Sequence, residues 1–366
     1  MNILVLYQSP WWNAAAYYTY NVVKALKQMN HNVVFAGKAA TPLASEISKL
    51  GIEINDIDLF TFSPFHLLGN LKKTKKLISQ NNINVLVPVS APAHILIGIL
   101  KKYKFRNMPI LKICLDNVPP VNNVLNRYLH NRLTDYFLFP GLPTKNRYDK
   151  IFAVEKFKIL HAPLDLTQFT GYTATKKTKE VLEIPGDKIV VCFIGRFSPE
   201  KGIFFLLDII KAVIEKTDKI FFILSGQEGQ IKHVEVQQKV KEYGLDKFVK
   251  IIDRLEDVRD LISVTDIGLL SSRYSEFICR IAMEFMAFEV PVVAPRLNVI
   301  PEVVKDTETG FIYDLNDSNQ AANFILSLSN EEKLRETLGK NALKRMEEIY
   351  NLKHFKLEFE EILTLF

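Results

Sequence analysis

Short apolar runs alternate with helix-patterned stretches along this chain of 366 residues. In the first half the runs fall at 3–7, 32–36, 85–89, 110–114, 136–139 and 158–160. Helical periodicity fills 17–29, 67–80, 95–103 and 125–133 between them. A parallel strand needs a crossover to reach its neighbour, and a helix is the usual crossover, so this alternation predicts βαβ units. A second series begins at Ile189 after a polar connector at 170–188. The length exceeds what one core usually fills. The expectation is an α/β chain with two doubly wound parallel sheets.

Within the second series, Val190-Val-Cys-Phe-Ile-Gly195 reads as a buried strand ending in glycine. Arg196-Phe-Ser-Pro-Glu-Lys201-Gly202 follows, then the apolar-periodic stretch 203–213. Arg196 and Lys201 therefore lie at a strand's carboxyl end, where α/β sheets present their ligand crevice. Two cations beside a helix start suit a diphosphate. Further on, Ser275-Glu-Phe-Ile-Cys-Arg-Ile-Ala-Met-Glu284 follows the apolar run 267–270 and leads toward the strand-like 290–294. Glu276 falls in a loop entering a helix, and Glu284 a little over one turn inside it. Acids near a helix start are also favoured by the dipole alone; the cationic strand–loop–helix unit about 80 residues earlier is what gives the pair meaning.

Together these motifs resemble the family four glycosyltransferases (glycosyl transferases group 1), a retaining group with the GT-B fold. Gly195-Arg196 to Lys201-Gly202 looks like its diphosphate-binding motif, and Leu224-Ser-Gly226 like its glycine turn near the nucleotide. Thr265-Asp266-Ile267, the glutamate segment, Pro291-Val-Val-Ala294, Ile300-Pro-Glu-Val-Val304 and Thr309-Gly-Phe-Ile312 continue it in order. The likeness is close over 160–350 and holds only in outline before that.

The resemblance implies two Rossmann-like domains facing a central cleft: residues 1–165 for the acceptor and 166–345 for the nucleotide sugar. A helix at 346–366 would cross back to the first. It implies metal-independent, retaining transfer of a hexosyl group to a glycan or lipid-linked acceptor in bacterial envelope polysaccharide or lipopolysaccharide assembly. The donor is a nucleoside diphosphate sugar (UDP or GDP foremost), with no cofactor. By resemblance, Arg196 and Lys201 stabilise the leaving diphosphate, Glu276 contacts the donor sugar and Glu284 the ribose. Phe277, Ile278 and Cys279 present amides to the phosphates, Gly195 and Gly226 flank the donor, and Arg254 lies near the base. An inactive GT-B binding partner and a nucleotide-sugar epimerase of the same fold are the alternative readings.

Three positions depart from the family pattern. The loop Gln8-Ser-Pro-Trp11-Trp12-Asn-Ala-Ala-Ala16 lacks glycine; the tryptophans serve either acceptor binding or packing. In Ile113-Cys-Leu115-Asp116-Asn117, Leu115 stands where relatives carry histidine, and Asp116 is the candidate for a polar catalytic role there. Cys279 replaces the usual glycine, and Arg280 either reaches the phosphates or holds the helix start. His94, at a strand-to-helix turn, faces the acceptor crevice or packs. Asp56-Ile-Asp58 has the Asp-x-Asp form of a metal site but no surrounding pattern, and no histidine pair has zinc spacing.

Charge is uneven. Residues 1–165 hold 20 Lys and Arg against 9 Asp and Glu; residues 166–366 hold 27 against 32. A basic first half suggests an anionic surface or substrate, and without a nucleic-acid motif it does not point to DNA or RNA. Lys72, Lys73, Lys75 and Lys76 after the apolar 62–71, with Lys101 and Lys102, read either as a solvated helix face or as peripheral membrane contact. No apolar run reaches a spanning length, and residues 1–6 read as a strand rather than a signal peptide. Cys114, Cys192 and Cys279 are widely spaced and read as buried thiols. The expected location is the cytoplasm, with the inner membrane face as the peripheral site.

Overall fold

The computed structural model describes residues 1–61, 63–116, 119–172, 180 and 182–366. Phe62 and Asn117, which figured in the motifs above, lie outside the described residues, as does part of the polar connector. The chain divides into two compact units: Met1–Pro163 with Leu352–Phe366, and Leu164–Asn351.

The first unit carries strands β1 (Asn2–Leu6), β2 (Asn32–Gly37), β3 (Ile54–Asp56), β4 (Val85–Pro88), β5 (Leu111–Ile113), β6 (Tyr136–Phe139) and β7 (Phe157–Ile159). They are ordered β3-β2-β1-β4 and β5-β6-β7, joined by a parallel bridge between Leu86 and Ile110. All named pairs are parallel. The βα turns share one local device. Asn13, Thr41, Ser63 and Ser90 each accept, through the side chain, a hydrogen bond from the amide three residues on. That satisfies a donor left open at the helix start and fixes where the helix begins.

Three elements carry too little periodicity to be read beforehand: the helices Pro42–Lys49 and Leu142–Asp149, and the three-residue β3. The expected single helix at 125–133 is an α-helix (Val124–Tyr128) running into a π turn (Leu129–Leu133). Gly98 lies beneath it: a Cβ there would sit 2.3 Å from Leu129 Cδ1. The last helix, Leu352–Leu363, packs with the first unit. Phe355 meets Tyr18 edge-on at 5.8 Å, and Lys158 pairs with Glu358 at 3.3 Å and Glu361 at 2.9 Å.

In the second unit β8 (Ile189–Ile194), β9 (Ile220–Ser225), β10 (Val249–Ile252), β11 (Ile267–Leu269), β12 (Val292–Pro295) and β13 (Gly310–Tyr313) form one sheet ordered β10-β9-β8-β11-β12-β13. Its pairs are likewise parallel. Strands buried on both faces explain the near-continuous apolar runs. The helix Ile203–Ile214 drives Leu206, Ile210 and Val213 into a core with Phe222, Leu224 and Ile325. In this sheet the order reverses between β8 and β11, as it does between β1 and β4 in the first. Such a reversal opens a crevice at the strands' carboxyl ends.

Candidate functional site

The two motifs singled out in the second half leave the adjacent strands β8 and β11, so the sheet order brings them to one switch point. Three hydrogen bonds tie their loops together. Ser271 Oγ donates to the Lys201 carbonyl at 2.7 Å, and the Arg273 amide donates to the Glu200 carbonyl at 2.8 Å. Lys201 Nζ donates to Glu276 Oε2 at 2.5 Å, and Ser272 Oγ adds a bond to the same oxygen at 3.0 Å. Burial works against the Lys201 ammonium, yet the facing Glu276 carboxylate prevails and holds its pKa above the ordinary value.

Gly202 makes this closeness achievable. Its φ is +66°, and a Cβ would lie 2.2 Å from the Ser271 carbonyl oxygen, so any side chain would drive the two loops apart. Gly226 ends β9 in the same way, where a Cβ would fall 1.7 Å from the Gly195 carbonyl oxygen. Arg196 is exposed. Its stem crosses Gly229 so closely that a Cβ there would be 2.9 Å from Arg196 Cγ.

The glutamate segment enters the seven-residue helix Arg280–Met286. Phe277 is half-buried and Ile278 buried. Cys279 precedes the helix with φ +57° in the left-handed region, fully buried. That conformation favours glycine, which is the physical reason a glycine suits this position. Burial raises the Cys279 thiol well above its ordinary pKa, with Glu276 adding to it, which disfavours the thiolate.

Glu284 lies inside this helix and is buried. Its side chain is 5% exposed and accepts from Arg280 Nε at 2.7 Å. Burial raises its pKa, while Arg280 and Arg254 work against the rise. Arg280 thus holds Glu284, and Arg254, itself exposed, lies close enough for its charge to be felt.

The first-unit candidates lie at the carboxyl edge of their own sheet, in different settings. Trp11 is 69% exposed, whereas Trp12 packs edge-on against Tyr20 at 5.8 Å. His94 does not face a crevice. It is 1% exposed and bonds Thr134 Oγ1 through Nε2 at 2.8 Å, because the turn carrying it packs beneath the 124–133 segment. Asp116 follows β5, with Lys112 Nζ and the Tyr148 hydroxyl each 3.5 Å from Oδ2. Lys112 is itself fully buried and donates to the Val89 carbonyl at 2.5 Å. Asp56 and Asp58 serve turns: Asp56 accepts from the Ala39 amide at 2.9 Å, and Asp58 from the Phe60 amide at 2.9 Å. Among the described residues no group of three or more His, Cys, Asp or Glu could hold a metal ion.

Lys112 and Tyr148 belong to these sites without belonging to a motif, and Ser271 and Ser272, at the end of the 257–272 stretch that resembles the family, were not singled out. The one available signal was Lys112, a lysine inside the otherwise apolar run 110–114.

Residues 174–345 match the family profile of glycosyl transferases group 1. Spore coat protein SA of Bacillus subtilis is 25% identical over 245 residues, 64% of this chain and 62% of that protein. The capsular polysaccharide biosynthesis glycosyltransferase CapM of Staphylococcus aureus is 25% identical over 185 residues, 49% of this chain and 47% of that protein. The chain therefore spans less than two thirds of either relative. The crystal structure of Anabaena HepE in complex with UDP and glucose superposes over 100% of both chains, with a TM-score of 0.83 at 18% identity. The chain thus has the two-domain GT-B fold and carries, at residues 174–345, a glycosyl transferases group 1 domain.

Proposed function

We propose that this protein is a retaining, metal-independent glycosyltransferase. It moves a hexosyl group from a nucleoside diphosphate sugar, UDP- or GDP-linked, to a glycan or lipid-linked acceptor in envelope polysaccharide or lipopolysaccharide assembly. It acts in the cytoplasm, at the inner membrane face, and needs no cofactor. The observation that carries the reading is the Lys201–Glu276 contact at the β8/β11 switch point, beside the exposed Arg196. The group 1 domain, the names of the relatives and the UDP and glucose bound to HepE support it.

In this mechanism negative charge develops on the departing diphosphate. Lys201 exchanges Glu276 for a phosphate oxygen, Arg196 closes from solvent, and the freed Glu276 accepts from a sugar hydroxyl. Charge stabilisation of this kind is commonly the largest contribution to catalysis. The amides at 277–279 meet the phosphates. Glu284 reaches the ribose hydroxyls from its place against Arg280. Asp116 and Trp11 belong to the acceptor side.

Incubation with UDP-, GDP-, ADP- and CMP-sugars in EDTA tests the reading through release of free nucleotide. Release that vanishes in Arg196→Ala and Lys201→Ala is expected, with the anomeric configuration of any transfer product retained by NMR. Nucleotide binding without turnover would favour an inactive partner, and an epimerised sugar an epimerase.

A further inference from the structure

The helix Pro64–Gln80 has two unlike faces. Leu67, Leu71, Thr74 and Ile78 turn toward the first unit's core. At helical spacing Phe65, Leu68, Lys72, Lys75 and Lys76 share the opposite face. Phe65 is 85% exposed and Leu68 64%, while Phe60, just before the helix, is 53% exposed. All three lysines are exposed. The helix contains no Asp or Glu, so the lysines have no partner within it of the kind that stabilises a solvated helix. Lys73 stands off the stripe, its Nζ donating to the Asp56 carbonyl at 3.1 Å.

The second basic stretch is only partly available, unlike the expectation from sequence: Lys102 is exposed and Lys101 is not. Lys101 is buried and paired with Asp135, and Lys102 lies over the rings of Tyr103 and Tyr128 at 5.5 and 4.9 Å. The exposed face of the helix Pro64–Gln80 is apolar at its amino end and lysine-rich behind.

We propose that this face docks on an anionic lipid bilayer. Phe60, Phe65 and Leu68 enter the headgroup boundary, and Lys72, Lys75 and Lys76 meet lipid phosphates. Large apolar side chains left in solvent beside unneutralised cations fit a surface that is apolar within and anionic at its rim. A soluble polyanion would use the lysines and leave the phenylalanines idle. The helix follows β3, so its apolar end lies at the ligand edge of the first sheet, where a lipid-linked acceptor would be met. The proposal deepens the peripheral placement given above. Its test needs no donor, so its failure leaves glycosyl transfer untouched.

The experiment is co-sedimentation of the full chain with phosphatidylcholine vesicles, with and without phosphatidylglycerol, at low and at physiological salt. Binding only to the anionic vesicles is expected. At roughly 1 kcal/mol per lysine near such a surface, Lys72→Glu/Lys75→Glu/Lys76→Glu lowers partitioning on the order of 100-fold or more. Phe65→Ser/Leu68→Ser lowers it about tenfold or more at physiological salt, where screening leaves apolar insertion decisive. Both sets of positions are exposed, so the melting temperature stays unchanged and folding does not confound the result. Equal binding to neutral and anionic vesicles, or none to either, overturns the proposal. So does wild-type binding by the Phe65→Ser/Leu68→Ser variant, which would mark the face as a polyanion site instead.

Discussion

The two units repeat one strand order around a β1/β4 and a β8/β11 reversal, yet their ligand edges are built differently. The second unit's edge is tied together: three hydrogen bonds join its loops, and a cation, an acid and two serines converge. The first unit's edge keeps its charge inside. Lys112 is buried against Asp116, and His94 and His130 stand edge to face with centroids 4.7 Å apart, leaving Nδ1 and Nε2 respectively without partners. Its solvent side includes the exposed Trp11. The comparison teaches that sheet order decides where a ligand binds, and the loops decide which. An edge whose loops are tied together beside a lysine suits the proposed donor, whose phosphates are always the same. An edge with exposed aromatic surface suits an acceptor that varies.

The largest effect should come from the second edge. Lys201→Ala is expected to cut nucleotide release on the order of 10²–10³-fold, the cost of removing one aimed donor in comparable sites. Asp116→Asn, assayed in parallel, should leave nucleotide affinity unchanged by calorimetry; an equal loss there would break the contrast between the edges. Next, Asp116→Ala strips a partner from a fully buried lysine and should cost about 3 kcal/mol in denaturant unfolding. Lys112→Met, which removes the charge itself, should be close to neutral.

A smaller effect is pH-dependent and belongs to the first unit. Burial lowers His130 to about 4 and His94 well below its ordinary value, with the Asn126 carbonyl partly opposing this at His130. Folded pKa values below the unfolded 6.5 mean that the unfolded chain takes up protons first. Stability is therefore full above pH 6.5 and falls as pH drops toward 4, by on the order of 1.4 kcal/mol per pH unit for each histidine. His130→Phe keeps the stack on Phe152, at 4.1 Å, and should make thermal melts less sensitive to acid. The smallest effect is Trp11→Ala, expected to shift stability by less than about 0.5 kcal/mol while weakening glycan acceptors in a transfer assay.

Legibility followed the same divide. The Gly195–Gly202 loop and the Glu276–Glu284 segment could be read because a strand, a glycine and a helix start are local patterns. Glu284 was placed a little over one turn inside a helix, and Arg280 was weighed for the phosphates or for the helix start, not as the partner of Glu284. For His94 a crevice-facing and a packed position both stood open, because a position at a helix start says nothing of what packs over it; the 124–133 segment does that, and His94 packs. Lys101 misled for a similar reason, since a lysine run looks exposed until one member finds Asp135, 34 residues away.

The order of residues alone determined the βαβ alternation, the two sheets, the glycines at tight turns and the cations and acids at strand ends, because each is written in periodicity or local backbone need. Tertiary structure alone decided that Lys201 meets Glu276 across 75 residues, that Lys112 is buried and donates to the Val89 carbonyl, and that Lys101 turns in while its neighbour Lys102 stays outside. Those outcomes depend on which strands become neighbours and which helix covers which, and packing across the whole unit settles that.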